Sequence, residues 1–122
     1  MNEERLSFPK AEKLCGKTAV TALLSKGHKG ATANLRYYYQ VPEAAEEKPN
    51  LFLVSVPKRY FKRAVKRNLL KRRIREAYRL NKQILPKRGI KLMFVFTAAE
   101  LVDYHTLEAE MQSVLQKIAE KL

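Results

Sequence analysis

The sequence predicts a mixed α/β sandwich in which helices pack on one small sheet. Two short apolar runs, LFLVSV (residues 51–56) and IKLMFVFT (90–97), have the length and bounding Pro or Gly of strands. Between them lies a segment with helical periodicity, and a second amphipathic stretch closes the chain. At 122 residues, with 46% apolar side chains, the chain is long enough for one buried core and short for two. We therefore read residues 1–122 as a single domain, without internal repeats or low-complexity tracts.

Taken in order, a polar start is followed by Leu14, Ala19 or Val20, Leu23 and Leu24 at helical spacing. This predicts a first helix over residues 11–24, stopped by Lys26-Gly27 and Gly30. NLRYYYQV (34–41) reads as a strand ended by Pro42. EAAEEKPN, with Glu43, Glu46 and Glu47, reads as an exposed hairpin connection. LFLVSV is apolar on both alternating faces, as a central strand covered on each side would be. After Pro57 a basic helix is expected over about residues 60–84, stopped by Pro86 with Gly89 beyond. The strand at 90–97 follows. Asp103 is the expected N-cap of a last helix, with Leu107, Met111, Val114 or Leu115, Ile118 and Leu122 on its apolar face. If the strands flanking the basic helix are parallel, the general rule expects a right-handed crossover.

The basic segment, AVKRNLLKRRIREAYRLNK, carries the chemistry. At about 100° per residue, Arg67, Asn68, Lys71, Arg72, Arg75 and Arg79 fall in one arc, opposite Leu69, Leu70, Ile74, Ala77, Leu80 and Ile84. Glu76 is the sole nearby acid, so i,i+4 pairing does not account for the charge. The whole chain carries a formal charge of +13, which attracts polyanions. A membrane partner is disfavoured: no apolar run approaches the ~20 residues of a spanning helix, the amino end lacks an apolar signal core, and there is no Trp. Cys15 is alone and forms no internal disulfide; it reads as a small buried apolar side chain, and a reducing cytoplasm fits.

No catalytic set is legible. His28 lies beside an expected turn and His105 near the start of the last helix, without ligand spacing. Glu43, Glu46 and Glu47 read as loop charge, Glu108 and Glu110 as the outer face of a helix. The few glycines form no phosphate-cradling loop. We assign no catalytic residue, no metal ligand and no small-molecule substrate. Arg supplies a flat fork for phosphate and stacks on bases, and Asn68 adds an amide that donates and accepts. That mixture suits folded RNA, read by shape, phosphates and 2′-OH groups.

SVPKRYFKRAVKRNLLKRRIREAYRLNK resembles the signature of the bacterial ribonuclease P protein family, an Arg-Asn followed at helical spacing by Lys-Arg and Arg. Those positions are Arg67, Asn68, Lys71, Arg72 and Arg75. The opening LSFPKAEKL, the Lys26-Gly27 helix end, the LFLVSV strand and the last strand and helix also match in order. The resemblance implies an αβββαβα sandwich with a left-handed crossover around the basic helix, an exception to the general rule. It implies a cytoplasmic ribonucleoprotein endonuclease, a hydrolase of tRNA processing. In it a catalytic RNA removes the 5′ leader of precursor tRNA, using Mg²⁺ held mainly by that RNA. The basic helix would bind the catalytic RNA, and a cleft between the first helix and the sheet would take the single-stranded leader. The family often presents two aromatics on the first helix; the corresponding positions here are Val20 and Leu24. The strand aromatic of the cleft falls on Tyr38, between Tyr37 and Tyr39, with Phe8 as a further ring; β propensity and core packing are the competing reading of the three tyrosines. A different RNA-binding module, such as a ribosomal or assembly protein, is the alternative. A protein nuclease would need a metal-binding carboxylate cluster.

Overall fold

The computed structural model describes residues 17–43 and 47–122. Phe8, Cys15, Glu46 and the first part of the first helix expected from residue 11 lie outside the described residues. The elements are α1 (Lys17–Lys26), β1 (His28–Ala31), β2 (Leu35–Gln40), β3 (Leu51–Ser55), α2 (Ala64–Asn81) with a 3-10 turn (Lys82–Ile84), β4 (Lys91–Phe96) and α3 (Tyr104–Glu120). This is the αβββαβα order. The four strands form one sheet in the order β1-β2-β4-β3, with β1–β2 and β2–β4 antiparallel and β3–β4 parallel. α2 is thus the crossover between adjacent parallel strands. Among the described residues no helix is long and apolar enough to cross a membrane.

The side-chain period of two splits the sheet into two unlike faces. One carries Leu35, Tyr37, Tyr39, Phe52, Val54, Val56, Leu92, Phe94 and Phe96, all buried with Leu70, Ile74, Ala77 and Tyr78 of α2 and with Leu107, Met111, Val114, Leu115 and Ile118 of α3. The other holds a smaller cluster, Leu23 of α1 against Met93, with Ala19, Val20, Tyr38, Leu51, Leu53 and Val95 partly buried around it. Among the described residues, two helices therefore cover the first face and the ten-residue α1 part of the second.

Several expectations are corrected. LFLVSV is an edge strand, buried on alternate residues, because β4 takes the central place between β2 and β3. For the same reason the connection 41–50 is no hairpin. Its last residues lie beside the turn that leads into β4, where buried Asn50 accepts from Ile90 N (2.9 Å) and Arg88 N (3.1 Å) and donates to Pro86 O (3.0 Å). Gly89, at φ +70°, donates its N–H to Lys48 O at 3.0 Å in the same turn; that left-handed backbone favours glycine. β1 has no counterpart among the expected strands. HKGA has weak β propensity, but Gly30 lies under the Tyr37 ring, where any Cβ would overlap the phenol, and His28 stacks on Tyr39 with centroids 5.0 Å apart.

The last helix starts as expected. Asp103 caps it, accepting from Thr106 N at 3.2 Å and Thr106 Oγ1 at 2.7 Å, and these bonds hold its carboxyl below the usual value. Leu122, however, is exposed beyond its end. Glu108 and Glu110 are not idle outer charges. Glu110 accepts from Asn34 N (2.9 Å), Asn34 Nδ2 (2.5 Å) and Thr32 Oγ1, which pins the β1–β2 turn to α3. Glu108 accepts from Asn81 Nδ2 (3.2 Å) and Tyr104 Oη (3.0 Å), and Gln112 donates to Asn81 Oδ1 (3.0 Å). Asn81 is thereby satisfied although buried between α2 and α3.

Candidate nucleic-acid interface

α2 begins at Ala64, later than the expected residue 60, because the chain first turns inward. Tyr60 N bonds Pro57 O at 3.3 Å. Phe61 is buried beside Phe96, with centroids 5.9 Å apart. Arg67 then reaches back, its Nη1 donating to Phe61 O (2.7 Å) and Lys62 O (2.8 Å), so the non-helical carbonyls of that segment are satisfied. Neither an acid in the first turn nor a side-chain cap offsets the positive helix start. Lys62, Arg63 and Lys66 are all exposed around it.

The buried stripe of α2 is Leu70, Ile74, Ala77, Tyr78 and Asn81. It is rotated by roughly half a residue step from the apolar arc expected from the sequence. Tyr78 turns inward and stacks on Phe52, with ring centroids 4.2 Å apart and planes 9° apart. Leu80, expected inside, is 47% exposed, and Leu69 is half-buried outside both apolar clusters. The polar residues consequently differ in their availability. Asn68, Arg72 and Arg75 are exposed; Arg67 and Lys71, at the margin nearest the buried stripe, are half-buried, and so is Arg79, which lies within the front. Arg79 also pairs with Glu76, its Nε donating to Oε1 at 2.6 Å. Arg73, outside the expected set, donates to Val102 O at 2.8 Å and ties α2 to the loop before α3. Nothing in its sequence neighbourhood marks that role, since its acceptor is a carbonyl 29 residues away.

The second surface is the sheet face under α1. Strand register aligns Lys29, Tyr38, Met93 and Leu53 in one row; on one side lie Gln40, Lys91 and Leu51, and on the other Ala31, Arg36, Val95 and Ser55. Lys29 and Arg36 are exposed, Lys91 half-buried, and these rows contain no acid. Of the expected cleft residues, Val20 and Tyr38 meet here around Leu23 and Met93. Leu24 is 37% exposed and stands outside the cluster. Tyr37 and Tyr39 face the other way and are core residues. A half-buried aromatic ring on an aliphatic floor, flanked by cations, is the arrangement that stacks a base and holds its phosphate.

Among the described residues no three of His, Cys, Asp and Glu come together as a metal-ligand set. His28 is occupied with Tyr39, and His105 lies exposed in the first turn of α3.

A front of exposed cations and an amide, backed by a core that fixes its orientation, can be compared with known proteins. The family model for ribonuclease P matches residues 8–119. The ribonuclease P protein component of Porphyromonas gingivalis is 37% identical over 116 residues, covering 90% of this chain and 85% of that protein. Among solved structures, the RNase P protein of Staphylococcus aureus superposes with a TM-score of 0.73 at 24% identity, covering 91% of this chain and 97% of that one. The Thermotoga maritima RNase P protein gives 0.73 at 21% identity, with 87% and 96% covered. Sequence relatives across most of the chain and the same sheet and helices in space lead to one conclusion: the chain belongs to the ribonuclease P protein family.

Proposed function

We propose that this chain is the RNA-binding subunit of a ribonuclease P holoenzyme, assisting a catalytic RNA in endonucleolytic removal of the 5′ leader from precursor tRNA. The observation that carries the reading is the front of α2, where Asn68, Arg72 and Arg75 stand exposed while the opposite side is locked into the core. Arg67 and Lys71 extend that front at one margin, and Arg79 lies within it. Each phosphate they neutralise releases condensed counterions, which drives association and makes it salt-sensitive. The leader lies over Tyr38 and Val20, with Leu24 at the rim; Phe8 belongs to the same proposal. The catalytic groups are on the RNA, and Mg²⁺, held mainly by the RNA, supplies the activation of water. What this chain contributes is binding, orientation of the leader, and shielding of RNA–RNA repulsion by its +13 charge. A cytoplasmic location belongs to the reading and is supported by the lone cysteine.

The test is cleavage of precursor tRNA by the protein alone, by a bacterial ribonuclease P RNA alone, and by both across a Mg²⁺ titration. The RNA alone should cut slowly and only at high Mg²⁺, and adding the protein should move cleavage to lower Mg²⁺. Protein free of RNA that cuts at the mature 5′ end would overturn the proposal.

A further inference from the structure

The sheet face under α1 runs between two cationic ends. At one, β3 leads into the Lys58–Arg59 turn and the basic start of α2. At the other, the end of β2 and the starts of β3 and β4 come together, and an open pocket of about 360 Å³ lies there. Pro42, Pro49 and Leu51 supply its apolar surface, and Lys48, Arg88 and Lys91 its charge. Leu51 and Lys91 belong also to the row beside Tyr38, so the pocket continues the face rather than lying apart from it. Glu43 and Glu47 of the same connection do not line it. The Gly89 turn and the three bonds of Asn50 hold its wall in place.

We infer that this pocket is a distal subsite for single-stranded RNA, receiving one nucleotide of the leader upstream of the part that lies on Tyr38. The apolar surface takes the base or sugar, and the cations take the adjoining phosphodiester. Arg88 precedes Met93, the partner of Tyr38, by five residues, a separation of at most roughly 17 Å along an extended chain. The subsite therefore acts only on leaders long enough to cross that gap. The inference rests on the proposed leader path over Tyr38. It adds a length-dependent contact to that path, made by residues outside both α2 and α1.

The experiment measures affinity of the reconstituted holoenzyme for precursor tRNAs whose leaders lengthen one nucleotide at a time. Affinity should rise in two stages, first as the leader covers Tyr38 and again as it reaches the pocket. Arg88→Ala keeps the backbone bond to Asn50, should remove the second stage only, and should lower the salt slope for long leaders by about 1. Arg88→Lys should restore most of it. Lys117→Ala, which removes an exposed charge from α3, should change neither stage, and thermal melts should match wild type. A missing second stage, or an Arg88→Ala loss equal for short and long leaders, would overturn the subsite while leaving the leader path intact. Absence of the first stage as well would overturn the path and the subsite together.

Discussion

Replacing Tyr38 with alanine removes the aromatic ring from the sheet face under α1, and its size sets the expected loss. A base stacked on a ring is worth about 1–3 kcal/mol. Tyr38 is half-buried beside Leu23 and Met93, so only part of its ring is available, and the low end of that range applies. About 1 kcal/mol corresponds to roughly fivefold in Kd. The assay is equilibrium binding to the assembled holoenzyme, under conditions that prevent cleavage, of a precursor tRNA and of the same tRNA without its leader. Tyr38→Ala should weaken the first about fivefold and leave the second unchanged, while Tyr38→Phe should bind like wild type. Equal losses for both tRNAs, or none for either, would refute a leader contact at Tyr38.

Three further outcomes follow from the packing. Ile74→Ala, at a fully buried site, should cost about 2–5 kcal/mol in denaturant unfolding, whereas Leu80→Ala, at a site 47% exposed, should cost less than about 1 kcal/mol; equal costs would contradict the observed rotation of α2. Arg67→Ala should lower stability by on the order of 1–2 kcal/mol as well as weaken RNA binding, because its guanidinium also bonds the Phe61 and Lys62 carbonyls; an unchanged melt would show those bonds to be dispensable. Burial and the hydrogen bond to Glu108 push the Tyr104 phenol up to about 12. A raised value favours the protonated form, so this stabilisation is complete below about pH 10 and fades as pH rises toward 12. The difference in melting temperature between wild type and Tyr104→Phe should be constant below pH 10 and shrink above it; a difference that does not change with pH would reject the effect.

Periodicity locates α2, β2, β4 and α3 because each buries a regular face, and the Asp103 cap is readable from its position before an apolar repeat. Strand order is not, since it depends on pairings between distant segments: LFLVSV is apolar enough for a central strand yet sits at the edge. β1 escapes a reading of the sequence because its pairing, not its composition, makes it a strand. The front of α2 is legible as a set but not in rank. Tyr78 counts as neither clearly apolar nor clearly polar, and its stacking on Phe52 turns the helix, drawing Arg67 and Lys71 toward the seam and leaving Leu80 outside. Glu110 resembles surface charge in the sequence because its acceptor role depends on Thr32 and Asn34, more than seventy residues away.

The claim on which the functional reading depends is that the exposed front of α2 binds the catalytic RNA while its reverse side holds the fold. Arg72→Ala/Arg75→Ala should test it most directly, because both side chains are exposed and neither lies on the buried stripe. Titration of ribonuclease P RNA across a salt series should show weaker binding and a salt slope reduced by about 2, near 1 for each phosphate no longer neutralised, with thermal melting unchanged. Normal RNA affinity and an unaltered slope in a correctly folded double variant would contradict it.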